Sequence, residues 1–162
     1  MSLLFYLKNA MIASIYVVLL YVFQFLSFEL VQFRIAELLL VLILFNTKSF
    51  YGITIGTFIG NLLLSPYGIV DAVVGTIATM ITLLLMIVFK RQLFLSLLMP
   101  GIVNGVIIGL MLVYFSDITT VQAFIMTFGW IFLGQTVVLL VLGVPFYRLL
   151  KEKSLFQELI NF

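Results

Sequence analysis

The stretch Leu93 to Ser116, LFLSLLMPGIVNGVIIGLMLVYFS, contains no charged residue. A bilayer core of about 30 Å takes roughly 20 apolar residues of helix per crossing, so this segment alone is long enough to span it. Ala72 to Phe89 and Ile118 to Tyr147 are also free of charge. Around them, 65% of the 162 residues are hydrophobic and 9% are charged, with a mean hydropathy of +1.36. A soluble domain is about half apolar and about a quarter charged. The composition therefore defines an integral membrane protein, and residues 1–162 are expected to form a single transmembrane domain.

Cutting the chain at its charges and turn residues gives an all-α fold of six crossings. The first runs from about Lys8 to Leu26, the second from Gln32 to Phe45 and the third from Ser49 to Leu64. The third ends at Ser65-Pro66-Tyr67-Gly68, where a fixed proline φ and a permissive glycine favour a turn. The fourth covers Ile69 to Phe89, the fifth Leu93 to Phe115 and the sixth Thr120 to Tyr147, leaving a charged tail over 148–162. Basic residues stay on the cytoplasmic side of short loops. With both termini inside, Lys8, Lys48, Lys90, Arg91, Arg148, Lys151 and Lys153 share that side, which leaves only Arg34 of the eight basic residues on the other. The outer side collects Glu29, Glu37, Asp71 and Asp117. The first hydrophobic segment completes this pattern, so it is read as a retained helix and not as a cleaved signal peptide.

Without Cys or His, the chain has no disulfide, no thiolate or imidazole metal ligand and no histidine acid or base. It also has no phosphate-binding loop, nucleophile elbow or metal-ligand cluster. No cofactor or metal is called for, and a net charge of +2 gives no reason to expect nucleic acid. A membrane-embedded binder without an engine needs a partner or an ion gradient. Gly52, Gly56 and Gly60 recur every four residues, as do Gly101, Gly105 and Gly109. Each triplet makes a bare helix face that allows close backbone approach, either within the chain or against a partner.

Ionisable groups inside a bilayer cost several kcal/mol, so those that persist face a cavity or each other. Arg34 and Glu37 are three apart and share a helix face. Only Leu38 to Phe45 separates Glu37 from the cytoplasmic turn, a rise of about 12 Å as α-helix. Glu37 therefore lies below the outer surface, and the preceding loop dips inward. Asn61, Asp71, Asn104 and Gln135 fall at matching depth. Each amide is explained either by an interhelical hydrogen bond or by a ligand. Their shared placement argues for one polar-lined site, with Phe33, Tyr67 and Trp130 able to stack on a planar ligand.

The motif Val31-Gln32-Phe33-Arg34-Ile35-Ala36-Glu37-Leu38, followed by Gly60-Asn61-Leu62-Leu63-Leu64-Ser65-Pro66-Tyr67-Gly68 with Asp71 and Gly75, resembles the QueT-type queuosine precursor transporters. The similarity continues through Val103-Asn104-Gly105 and Gly109-Leu110-Met111. The resemblance implies an S component of an energy-coupling factor importer in the bacterial cytoplasmic membrane. Such a component has six helices, binds a micronutrient near the outer face, and assembles with a transmembrane coupling subunit and two cytoplasmic ATPases that supply the hydrolysis. It adds Gln32 to the candidate ligand contacts. It also casts Ala10 and Ser14 as the pair of small residues, four apart, that meets the coupling subunit. Gln135 stands where a Gly-Glu pair is expected, and a neutral amide does not compensate an ammonium. The ligand is thus open between a deazaguanine, queuine held through Glu37 or Asp71, and another micronutrient, with cobalamin the second choice. A small membrane enzyme using Glu37, Asp71 and Arg34, or a scaffold, is the alternative of another class.

Overall fold

A computed structural model describes residues 2–29, 31–116 and 120–152. Helix α1 (Leu3–Val22) starts where the Ser2 hydroxyl accepts from the Phe5 N–H at 3.3 Å, ahead of the start expected near Lys8. A lysine so close to a helix end can extend its ammonium to the headgroups while its stem stays apolar, so it does not terminate the helix. The chain breaks at Phe23 and resumes as a single turn, α2 (Gln24–Ser27).

The crossing expected over Gln32 to Phe45 takes a different form. Residues 32–34 are irregular, with the Phe33 N–H donating to the carbonyls of Leu26 and Val31. A 3-10 helix then covers Ile35–Leu44. At about 2.0 Å per residue instead of 1.5 Å, its 10 residues reach about 20 Å, which recovers part of the length that an α-helix of this size lacks. Its three-residue repeat aligns Arg34, Glu37, Leu40 and Ile43, all of them buried. Such a run is usually short because its bonds are poor. Here it is enclosed by neighbours, with Leu39, Leu40, Val41, Leu42 and Ile43 all in the main core.

The remaining helices are α3 (Ser49–Leu64), α4 (Ile69–Val88), α5 (Leu93–Phe115), α6 (Val121–Val138) and α7 (Val144–Glu152). A π turn, Leu139–Gly143, joins α6 to α7 without interruption. Pro145, two residues beyond this turn, has no N–H to offer a carbonyl of the preceding turn, and helices depart from the regular α pattern near such a residue. The last helix therefore continues past Tyr147 to Glu152. By length and composition, four helices can cross a membrane: Leu3–Val22, Ile69–Val88, Leu93–Phe115 and Val121–Glu152. Ile35–Leu44 and Ser49–Leu64 are apolar but shorter. The described residues contain no strand, and the molecule is an all-helical, multi-pass membrane protein.

Both glycine triplets are spent inside the chain. Helices α1 and α3 run parallel. A Cβ on Gly52 would meet the Asn9 carbonyl oxygen at 2.7 Å, one on Gly56 the Tyr16 Cβ at 2.8 Å, and one on Gly60 the Leu20 side chain at 2.7 Å. Asn9 fastens this pairing, because its Oδ1 accepts from the Gly52 N–H at 2.7 Å while its Nδ2 donates to the Phe5 carbonyl at 3.0 Å. An amide at the start of α3 is thus engaged directly by a side chain of α1. Helices α5 and α6 are antiparallel, with Gly101 against Phe132 and Thr136, and Gly105 against Phe128. Gly68 closes the α3–α4 turn at φ +50°, a conformation that needs glycine.

This path gathers Lys8, Lys48, Lys90, Arg91 and Arg148 at one end of the bundle. The opposite end holds the segment after α1, the Ser65–Gly68 turn, the end of α5 and the start of α6. Lys151, in the same last helix as Arg148, belongs to this basic set, whereas Asp117 and Lys153 of the topology pattern lie outside the described residues.

Gly56→Ala is expected to lower the melting temperature in detergent, because overpacking of this kind costs about 1–3 kcal/mol. Gly129 faces open space, so Gly129→Ala should leave stability unchanged or raise it by up to about 1 kcal/mol, the helix preference of alanine over glycine. Thermal unfolding of the two variants side by side checks both outcomes.

Candidate functional site

The polar residues expected to share one site fall into two connected groups. The deeper group centres on Arg34 and Glu37. Arg34 caps the 3-10 helix and Glu37 lies in its first turn, which brings Nε within 3.0 Å of Oε1 with both side chains 2% exposed. Glu37 Oε1 also accepts from Asn104 Nδ2 at 3.1 Å. Amide oxygens and nitrogens are assigned from their neighbours. The satisfied orientation of Gln135 has Nε2 donating to Glu37 Oε2 at 3.1 Å and to the Pro100 carbonyl at 2.9 Å, while Oε1 accepts from Asn104 Nδ2 at 3.1 Å. On its other side, Arg34 Nη2 donates to the Tyr16 hydroxyl and to Asn61 Oδ1, each at 3.2 Å. One ion pair thereby ties α1, α3, α5 and α6 to the central 3-10 helix.

The network reaches the second group through Asn61, whose Nδ2 donates to the backbone carbonyl of Asp71 at 3.2 Å. Gly75 permits this approach, since a Cβ there would collide with the same amide nitrogen. Asp71 occupies the first turn of α4, where the helix dipole suits a carboxylate. It is 4% exposed, and its Oδ1 has no hydrogen-bond partner among the described residues. Asn104 Oδ1 is likewise buried and unpartnered. Buried polar atoms without a partner are uncommon enough to need an explanation.

Asp71 lines a cavity of about 430 Å³ at the end of the bundle opposite the basic turns. Gln32, Phe28 and Glu29 contribute from the segment after α1, and Pro66 and Tyr67 from the α3–α4 turn. Ile108, Met111, Leu112, Val113 and Ser116 come from the end of α5, and Ala123 and Thr127 from the start of α6. Of the candidate ligand contacts, Gln32, Tyr67 and Asp71 line this cavity. Arg34, Glu37, Asn61, Asn104 and Gln135 form the hydrogen-bonded layer joined to it. Phe33 is half-buried outside the lining, and Trp130 is 44% exposed on the outer face of α6. The helical turn explains Trp130. Ile131, Gly134 and Gln135 face inward, and Trp130 precedes Ile131 by about 100° of rotation.

Several participants are not apparent from composition. Tyr16 is fully buried and completes the coordination of Arg34. Its signal is positional, because Asn9, Ile12, Ala13, Tyr16 and Leu20 form the one inward stripe of α1. The cavity wall formed by Ile108, Met111, Ala123 and Thr127 carries no sequence mark. Ala10 and Ser14 are exposed on the opposite face of α1, with the Ser14 hydroxyl donating to the Ala10 carbonyl at 2.9 Å.

A multi-pass helical bundle with a polar-edged, ligand-sized cavity at one end belongs to the class of membrane proteins that handle small molecules. The family model described as QueT transporter matches residues 6–152, nearly the whole chain, and the protein belongs to that transporter family. No curated protein and no solved structure matches it.

Glu37→Ala should destabilise the fold by about 3–5 kcal/mol, because it leaves the Arg34 guanidinium buried without its counter-charge. Trp130→Ala, on an exposed face, should change stability by no more than about 0.5 kcal/mol. Melting temperatures in detergent distinguish the two.

Proposed function

We propose that the protein is the substrate-binding component of an energy-coupling factor importer for a queuosine precursor of the 7-deazaguanine type or queuine. In this reading, the Ile35–Leu44 and Ser49–Leu64 helices also cross the bilayer, giving six crossings with both termini in the cytoplasm. The ligand enters the cavity from outside. Gln32 and Asp71 meet its polar edge and Tyr67 covers its face, while Arg34, Glu37, Asn61, Asn104 and Gln135 form the ordered layer that holds these contacts in place. Phe33 and Trp130 are left without a direct role.

The observation that carries the reading is the cavity, opposite the basic end of a chain from a transporter family. Basic turns mark the cytoplasmic side, so the cavity falls on the outer side. A volume of about 430 Å³ lies within the range of about 300–1,000 Å³ typical for small ligands. That suits one deazapurine, whereas cobalamin is several-fold larger and fits the cavity poorly. Family membership favours transport over the small-enzyme and scaffold alternatives. ATP hydrolysis falls to two cytoplasmic ATPase subunits, and the exposed Ala10 and Ser14 offer a smooth strip of α1 to the transmembrane coupling subunit. Small residues allow the close helix contact on which association in lipid depends.

Ligand retained through detergent purification and identified by mass spectrometry tests the substrate, and a corrinoid in place of a deazapurine would refute it. Ala10→Leu and Ser14→Leu should each reduce copurification of the coupling subunit while ligand binding by the solitary chain is unchanged. Full recovery of the complex from both variants would remove the docking role. A cysteine placed at Lys90 should stay unreactive to an impermeant reagent in intact cells, and labelling there would invert the topology.

A further inference from the structure

We propose that the groove between the start of α3 and the end of α4 holds a phospholipid with an anionic headgroup, drawn from the leaflet at the basic end of the bundle. This surface lies at the opposite end from the cavity that Asp71 lines, and the proposal does not depend on what that cavity binds. Thr47, Lys48, Phe50 and Tyr51 on one side and Leu84 and Ile87 on the other border a groove of about 350 Å³. Helices α3 and α4 are antiparallel and joined by the Ser65–Gly68 turn, so the first turn of one meets the last turns of the other. Helix α3 has 16 residues and α4 has 20. Lys48 therefore stands beside the end of α4 and not beyond it. The groove opens sideways, with Tyr51 48% and Leu84 55% exposed. Since α4 is long and apolar enough to cross a membrane, this opening faces acyl chains close to the headgroup level.

Charge at its mouth separates this groove from an ordinary furrow in the lipid-facing surface. Lys48 belongs to the lining, and Lys90 and Arg91 follow Ile87 by three and four residues, with the Lys90 N–H donating to the Ile87 carbonyl at 3.4 Å. All three side chains are exposed, and none makes an ion pair or a side-chain hydrogen bond among the described residues. The lining holds no Asp or Glu. Glu152, the described acidic residue at this end, shares α7 with Arg148 and Lys151. A phospholipid matches both halves of the surface. Its phosphate takes charge-assisted bonds from the ammonium and guanidinium groups, and the Thr47 hydroxyl adds a further donor. Its acyl chain runs along Phe50, Tyr51, Leu84 and Ile87, restoring the dispersion contacts that an unfilled furrow forgoes. Basic pockets between membrane helices recognise anionic headgroups in this way. A soluble anion would use the cations and leave the apolar walls uncovered.

The test uses the purified full-length chain, delipidated in detergent and titrated with phosphatidylglycerol or phosphatidylcholine of identical acyl chains, with bound lipid counted by native mass spectrometry. Wild type should hold one phosphatidylglycerol at least about fivefold more tightly than phosphatidylcholine, the factor that one cation contributes near a membrane surface. Lys48→Gln should remove most of that preference, and adding Lys90→Gln and Arg91→Gln should abolish it. Arg148→Gln, at the same end but off the lining, should preserve it. Leu84→Trp, which fills the groove, should weaken both lipids. These positions are exposed, and an unchanged melting temperature identifies the variants that fold. Equal binding of the two lipids by wild type overturns the proposal, as does a preference that survives the triple substitution. A loss in Arg148→Gln as large as in Lys48→Gln reduces the effect to diffuse attraction and also overturns it. Displacement of the lipid by inorganic phosphate would leave an anion site without a lipid. Failure of folded wild type to hold either lipid overturns the proposal and assigns the basic rim to a protein partner.

Discussion

The ion pair between Arg34 and Glu37 is the constraint around which the molecule is arranged. Two opposite charges in a nearly dry core are tolerated only if every remaining bond of each is met, and each partner here draws in a different set of helices. The guanidinium needs Tyr16 from α1 and Asn61 from α3, and the carboxylate needs Asn104 from α5 and Gln135 from α6. Helix positions that apolar packing alone would leave free to slide are thereby fixed in register. The 3-10 geometry belongs to the same requirement, since its three-residue repeat stacks Glu37 directly over the arginine that caps it.

The network and the cavity divide the work between them. The deeper layer is buried and cross-linked by hydrogen bonds between helices, with the Asn104 Oδ1 its one amide oxygen left without a partner among the described residues. The cavity is walled by the ends of helices and by turns, the parts of a bundle that adjust most readily. Asn61 belongs to both, taking its orientation from Arg34 and transmitting it to the backbone of Asp71. Gly75 is the small residue that makes this reach possible. The position of the carboxylate in the cavity is thus set by a salt bridge that does not line it.

Much of this was legible in the sequence, for identifiable reasons. Membrane class and helix composition follow from charge-free stretches, which report directly on the solvent. The residues of the deeper network stood out because a charge or amide in an apolar run has to be justified energetically. The 3-10 form of Ile35–Leu44 was not legible, because 3-10 and α-helix share nearly the same apolar pattern and differ in hydrogen-bond register. That Trp130 lies on the exposed face of α6 was not legible, because aromatic type says nothing about azimuth, and one residue along α6 separates the inner face from the outer. Tyr16 was passed over because tyrosine is common in membrane helices, and only its place on the stripe facing Gly56 marks it. The cavity walls were invisible because apolar residues at helix ends look alike whether they face lipid or ligand.

The parallel pairing of α1 with α3 also sets an order on biosynthesis. Asn9 and Tyr16 enter the bilayer with the first helix, yet the Gly52 N–H that engages the Asn9 oxygen lies 43 residues further along the chain. Until that part of the protein has left the ribosome, the first helix carries polar groups into lipid without their final partners, and nothing yet fixes its rotation. Arg34 arrives next and meets Tyr16, but its other acceptor, Asn61, is still to come. The opening segment of the protein therefore acquires its native orientation only once the third helix has been delivered beside it, and an early translation product has the right helices without the right neighbours.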